Sequence, residues 1–329
     1  MSQVMMKAVW SVPGEAGGRV EVREVPRPEP SAGQVRVRVR ASAINRGELL
    51  ALSALKTGTG AIGGVEFAGE VDALGPGVIG WKPGDAVMGH GRGAQAQYVC
   101  VDARALMPRP KRLDWHHAAA FPNVFTTAHD AMITNGSLAR GEAVLVNAAS
   151  SGIGMAALQI ARWAGASTII ATSRSTDKLE RLRPLGLTHA IRSDDQGAWV
   201  DQVATATGGR GVDLIVDSVG GGVFEANLRT MALDGRLIGV GRLGGRDARL
   251  DLDFLALRRL RLIGVTFRTR TAEQTLACVQ ACARDLLGPL EHGEINPVVD
   301  SVFPLASIAE AHNRMRSNQQ IGKIVLDVE

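Results

Sequence analysis

The chain has 329 residues, more than one domain of ordinary size holds, so two domains are expected. Hydrophobic residues make up 45% and charged residues 21%, which excludes a disordered chain. A net charge of +4 invites a nucleic-acid partner, but the 37 basic and 33 acidic residues are interleaved without a run of five or six basic ones, which argues against it.

The first 120 or so residues read as short strands broken by glycine and proline. Strands are expected at Lys7–Trp10, Val20–Val25, Gln34–Ala41, Glu66–Ala73, Asp85–Gly89 and Gln97–Val101. In the third, Val35, Val37 and Val39 alternate with Arg36, Arg38 and Arg40, the period of a sheet with one wet face. Pro13-Gly14, Gly75-Pro76-Gly77 and Pro83-Gly84 mark the turns.

From Glu142 the rhythm changes to alternating strands and helices. Strands are expected at Ala143–Asn147, Thr168–Thr172, His189–Ile191, Val212–Asp217, Arg236–Val240 and Leu260–Thr266. Helices fall at Gly152–Ala164, Thr176–Arg183, Trp199–Thr207 and Phe224–Ala232. Six strands in such a series point to a doubly wound parallel sheet. The cluster Arg258-Arg259-Leu260-Arg261 reads as the rim of a buried strand. A helix over Ala272–Leu287, a strand Val298–Phe303, a short helix near Ile308–Met315 and a strand Lys323–Asp327 close the chain. These last pieces are too few for a domain and must join one of the others.

Cys100, Cys278 and Cys282 are too few for a disulfide framework or a structural zinc site; the last two, one helical turn apart, read as buried packing residues. No apolar run approaches the roughly 18 residues of a bilayer span, and the N-terminus lacks the pattern of a signal peptide. The expectation is a cytoplasmic protein without a membrane partner.

The chemistry concentrates at Val146-Asn147-Ala148-Ala149-Ser150-Ser151-Gly152-Ile153-Gly154. A strand enters a turn of small residues that opens a helix, where a pyrophosphate meets free N–H groups and the positive end of the dipole. Ala149 and Ser151 replace the first two glycines of the usual fingerprint, and Gly154 keeps the third. Ala149, Ser150, Ser151, Gly152, Ile153 and Gly154 are therefore candidate cofactor residues. At the end of the next strand, Ser173-Arg174-Ser175 lacks the carboxylate that grips an NAD ribose, and Lys178 follows one turn later. Ser173, Arg174 and Lys178 suit an adenosine 2′-phosphate, which favours NADPH.

In order and spacing, several stretches resemble the zinc-independent quinone oxidoreductase (zeta-crystallin-like) branch of the medium-chain dehydrogenase/reductases. They include Asn45-Arg46-Gly47-Glu48, Gly64-Val65-Glu66-Phe67-Ala68-Gly69-Glu70-Val71, Lys82-Pro83-Gly84-Asp85, Val216-Asp217-Ser218-Val219-Gly220 and Gly322-Lys323-Ile324-Val325. The resemblance implies an α/β protein: a GroES-like β-rich catalytic domain over residues 1–123 and 268–329, and a Rossmann domain over 124–267 with a six-stranded parallel sheet. It also implies a homodimer paired through the strand Leu260–Thr266 and a cleft holding NADPH. Asn45 and Thr127 become the catalytic candidates, and Val219, Gly241 and Lys323 further cofactor contacts. The short-chain dehydrogenases share a similar turn, but theirs lies near the N-terminus and needs a Tyr-x-x-x-Lys pair, whereas Tyr98 is followed by Asp102.

Zinc-dependent relatives place cysteine and histidine where this chain has Ala43-Ile44-Asn45 and Val65, so no metal is expected. Without that electrophile, a conjugated acceptor that spreads incoming charge is the favoured substrate: a quinone or an α,β-unsaturated carbonyl. Two alternatives stand beside it, an enoyl-thioester reductase and a catalytically idle NADPH-binding protein. Against the first, Leu49-Leu50-Ala51-Leu52 occupies the stretch where family members carry a tyrosine.

Overall fold

Alternation of apolar and polar residues organises the N-terminal third, where a hairpin of β1 (Met5–Val12) and β2 (Arg19–Pro26) leads into a seven-stranded sheet. The computed structural model describes residues 3–193 and 198–328. They divide into two units, 1–123 with 279–329, and 124–278.

In the first unit, β3 (Gln34–Ala43) is central, flanked by β4 (Glu66–Leu74) and by β6 (Tyr98–Asp102), while β5 (Ala86–His90) and β7 (Leu106–Pro108) extend the β4 side. Val35, Val37 and Val39 are buried as the period requires. The opposite face is not uniformly wet. Arg38 is exposed, but Arg36 is buried against Asp72 and Glu29. Trp81 closes one side by donating its indole N–H to the Ala103 carbonyl at 3.1 Å.

The second unit carries a parallel sheet of β8 (Ala143–Val146), β9 (Thr168–Ser173), β10 (His189–Arg192), β11 (Val212–Asp217), β12 (Met231–Gly239) and β13 (Arg261–Gly264). Their spatial order is β10-β9-β8-β11-β12-β13. Renumbered from the first strand of this sheet, that is the doubly wound order whose switch point falls between β8 and β11. Leu145, Ile170 and Ile215 are wholly buried, so these strands read as continuous apolar runs.

The chain then returns to the first unit. Helix Ala272–His292 passes through the division at 278/279, where the sequence reading put the boundary at 267/268. β14 (Val299–Pro304) and β15 (Lys323–Asp327) follow, and β15 pairs antiparallel with β3. The C-terminal strands thus complete the N-terminal sheet.

Several elements differ from the sequence reading. Helices Arg46–Ala54, Pro122–His129 and Leu252–Leu257 were not anticipated. The helix expected to reach Ala232 stops at Thr230, because Met231 already pairs with Val212 in the sheet. The basic cluster is not a strand rim. Arg258 ends helix Leu252–Leu257, Arg259 takes a positive φ of 51° and pairs with Asp234, and only Arg261 enters β13. Nor is Cys278 a simple packing residue. Its buried thiol lies 3.5 Å from Asp130 Oδ1 and against the Arg270 guanidinium, which itself holds Asp130 at 2.6 Å. Burial and the Asp130 charge push that thiol up to about 11. Among the described residues, no helix is long and apolar enough to cross a membrane.

Candidate functional site

Two polar constellations emerge, one in each unit. In the second unit, β8 ends at Val146 and the chain turns through Asn147–Ser151 into helix Gly152–Trp163. Ala148 sits in the left-handed region at φ 50°, a conformation that costs an alanine free energy and needs support from its surroundings. The support is visible. Asn147 accepts from the Thr172 hydroxyl at 2.6 Å and donates to Asn227 at 2.7 Å, and the Ala149 N–H donates to the Thr172 carbonyl.

Ser151 caps the helix, its hydroxyl accepting from the Gly154 N–H at 3.1 Å. A Cβ on Gly154 would lie 2.6 Å from the Ala149 Cα, so only glycine lets the helix pack this closely on the turn. The Gly152 and Ile153 N–H groups donate to nothing among the described residues. Free N–H groups at the start of a helix suit an anion.

The neighbouring strand ends converge on the same edge of the sheet. Asp217, at the end of β11, accepts from the N–H groups of Val219 (2.8 Å) and Gly220, fixing that loop. Burial raises its carboxyl to about 6, against the pull of those donors. A Cβ on Gly241, after β12, would sit 2.5 Å from the Ser218 carbonyl, so the two loops touch through backbone. At the end of β9, Ser173 accepts from the Ser175 N–H, Ser175 caps helix Thr176–Glu180, and Arg174 is exposed with no ion pair among the described residues. Lys178 lies in that helix. Thr127 is the sixth residue of helix Pro122–His129 and is buried, so it is not a cap.

The first unit holds a cluster built from side chains. Lys323, at the start of β15, is 4% exposed, and its ammonium donates to the Ile44 carbonyl (2.8 Å), Asn45 Oδ1 (2.7 Å) and Glu66 Oε1 (2.7 Å). Glu66 is fully buried; its other oxygen accepts from the Asn123 backbone N–H at 2.8 Å. Asn45 is the hub. Its amide nitrogen donates to Glu66 at 2.8 Å and Glu48 at 3.2 Å, and its oxygen also accepts from the Asn123 side chain. Glu48 is half-buried, held from its other side by Gln95 at 2.7 Å. Burial drives the Glu48 carboxyl up to about 7, although Lys323 and Asn45 pull it down. Burial also pushes the nearby His90 imidazole below its ordinary value, with Glu66 opposing.

Residues 31–111 match the alcohol dehydrogenase GroES-like domain, and residues 152–281 match the zinc-binding dehydrogenase family. A crystal structure titled NAD-dependent alcohol dehydrogenase superposes with a TM-score of 0.88 at 31% identity, covering 99% of this chain and all of the other. The chain belongs to the medium-chain dehydrogenase/reductases. It is an oxidoreductase of that family, with the family's GroES-like and six-stranded parallel-sheet architecture.

Other members of the family are equally similar in shape. Mycobacterial Rv1454c complexed with NADPH gives a TM-score of 0.87 at 25% identity, over 98% of this chain and all of that one. CurK enoyl reductase gives 0.86 at 25%, over 98% and 99%. Among curated proteins, erythronolide synthase EryA2 of Saccharopolyspora erythraea is 35% identical over 90% of this chain but only 8% of its own length. The spectinabilin polyketide synthase protein NorB of Streptomyces orinoci is 31% identical over 97% of this chain and 14% of its own. The chain thus spans a small part of these large relatives.

A dinucleotide suits the second unit of this medium-chain oxidoreductase. Gly154 packs directly on the turn, and the two N–H groups undonated among the described residues offer a place for its pyrophosphate. Within the second unit, the structure gathers Ala149, Ser150, Ser151, Gly152, Ile153, Gly154, Ser173, Arg174, Lys178, Val219 and Gly241 at strand ends of one sheet edge. Lys323, expected as a cofactor contact, belongs to the first unit. All three of its ammonium protons are used inside the first unit. The Asn45 amide, the expected catalytic group, donates here to Glu66 and Glu48, with the Ala43 carbonyl at 3.5 Å. Sequence reasoning gave no site role to Glu66, Glu48, Asn147 or Asp217, although all four stand in the stretches that carry the turn and the resemblance.

Proposed function

We propose that the chain is an NADPH-dependent reductase that delivers hydride to a quinone or an α,β-unsaturated carbonyl. The carrying observation is the end of β9, where an exposed Arg174 with no ion pair among the described residues follows Ser173, and the strand end itself carries no carboxylate for a ribose 2′-hydroxyl. Bound there, NADPH supplies the hydride. The chain's part is to seat the pyrophosphate on the Gly152 and Ile153 N–H groups and to hold the adenosine 2′-phosphate with Arg174 and Lys178.

The first unit supports the choice of acceptor. With the protons of Lys323 and Asn45 committed to internal carboxylates and carbonyls, the cluster keeps few strong donors for a localised alkoxide. A conjugated acceptor spreads that charge over its own framework. A second reading, an enoyl-thioester reductase, is favoured by the polyketide synthase relatives along nearly the whole chain. The half-buried Glu48, titrating near neutrality, is a group able to hold the proton such a reduction consumes. We further propose a cytoplasmic homodimer paired through β13, one of the two edges of the parallel sheet.

NADPH and NADH oxidation with a panel of quinones, 2-alkenals and enoyl-CoA thioesters separates these readings. Turnover of quinones or alkenals is expected, with NADPH preferred. Arg174→Ala with Lys178→Ala should weaken NADPH roughly tenfold or more while leaving NADH nearly unchanged. An equal loss for both carriers would show that the 2′-phosphate is held elsewhere. Efficient turnover of thioesters alone would establish the second reading, and binding of NADPH without any turnover would defeat both.

A further inference from the structure

The sequence reading put Arg36, Arg38 and Arg40 on the wet face of β3. The structure separates these arginines. Arg36 is spent on Asp72 and Glu29, and Arg40 lies against Glu70 at 2.7 Å. Arg38 is exposed and has neither ion pair nor hydrogen bond among the described side chains. Its register partners are Tyr98 on β6 and Glu70 on β4, and Glu70 turns to Arg40 instead.

Arg38 and Arg40 open onto a cavity of about 460 Å³ in the first unit, which Arg27, Gln97 and Tyr98 also line. Among the described residues, no acidic one lines it. The Arg27 guanidinium stands 5.3 Å from the centre of the Tyr98 ring, and its nearest carboxylate, Glu29, is 3.7 Å away. The Arg27 Nε is buried without a hydrogen-bond partner, and the Tyr98 hydroxyl donates to no described group. Arg27 and Arg40 have carboxylate partners, but the Arg38 charge has none among the described residues, and the buried unpaired Arg27 N–H carries a desolvation cost. An anion with several oxygens relieves both.

We propose that this cavity is a binding site for a small phosphate-bearing molecule, held by Arg27 and Arg38 with Tyr98 and Gln97 at its sides. The volume falls in the range of small-ligand pockets. The planar fork of arginine matches the spacing of phosphate oxygens, whereas chloride would satisfy only one donor direction. The site lies wholly within the first unit and is independent of the cofactor turn and of the reading of the reaction.

Because Tyr98 is the one tyrosine of the chain, full-length protein labelled with 3-fluorotyrosine carries a single fluorine resonance that reports on this cavity. Titration with inorganic pyrophosphate, at ionic strength matched with chloride, should shift that resonance saturably. Arg38→Ala should weaken the binding roughly tenfold or more. Arg174→Ala, in the other unit, should leave it unchanged, as should Arg284→Ala, an exposed arginine already paired with Asp285. A shift that fails to saturate, or one equally large in Arg38→Ala, would overturn the proposal as non-specific ion binding. Arg38→Lys keeps the charge and loses the fork, so an affinity restored fully by lysine would also sink it.

Discussion

The two polar constellations of this oxidoreductase are made from opposite materials. The turn after β8 is built of backbone: small residues, a capped helix and N–H groups left undonated. The cluster around Asn45 is built of side chains, with a buried ammonium between carboxylate, amide and carbonyl oxygens. The first is sensitive to atoms added, because its function is close approach. The second is sensitive to atoms removed, because each charge stays buried only while its partner remains.

Breaking the cluster should have the largest effect. Lys323→Met leaves Glu66 as an unpaired buried carboxylate and should cost about 3–5 kcal/mol, measured by urea denaturation. Adding Glu66→Gln to that variant should recover much of the loss. A loss of less than about 1 kcal/mol in the single variant would mean that the cluster is far wetter than its burial implies.

The next effect also belongs to the first unit. His312 is buried with neither ring nitrogen hydrogen-bonded, and burial lowers its imidazole from 6.5 to about 4. Its folded value lies below its unfolded one, so between these values the unfolded chain binds the extra proton. The contribution is therefore whole above pH 6.5 and is lost as pH falls through about 4, amounting to about 3 kcal/mol. His312→Leu should flatten the stability profile over that range. In the second unit, Asp217 works in the opposite sense. With its carboxyl raised to about 6, its contribution is present below 3.8 and fades as pH rises through 6.

Adding atoms to the turn should come third. Gly154→Ala places a methyl 2.6 Å from backbone, costing about 1–3 kcal/mol and lowering dinucleotide affinity together with stability. Calorimetric titration and thermal unfolding of the same variant read both. The smallest effect is expected from Ser151→Ala, which removes the helix cap for about 1 kcal/mol. A larger loss of affinity in Ser151→Ala than in Gly154→Ala would reverse the contrast between the two materials.

These materials also explain what could be read in advance. The turn was legible because strand, small residues and helix follow one another within a dozen positions, and Val212–Asp217 stands in the sheet with the bounds its apolar run suggested. Helix Arg46–Ala54 was hidden because it buries only Leu49 and Leu52 and contains Gly47 and Ser53, a weak pattern for any helix. The end of helix Phe224–Thr230 was misplaced because pairing with β11, rather than local propensity, decides where Met231 goes. Asn45 was found as a residue, but its bonds to Glu48, Glu66 and Lys323 were not. Its partner Lys323 lies 278 positions away, and no local pattern announces an ammonium that arrives on another strand.

Composition and periodicity by themselves determined the β-rich beginning, the alternating strands and helices and the small-residue turn, because each depends on neighbours in the chain. Which protons are free, which are spent and which arginines stand unpaired depended on chain segments meeting across a sheet. β15 returns beside β3 to deliver Lys323 to Glu66, while Glu70 turns to Arg40 and leaves Arg38 open. Hydrogen bonds and ion pairs act over a few ångströms, so only the tertiary structure could assign them.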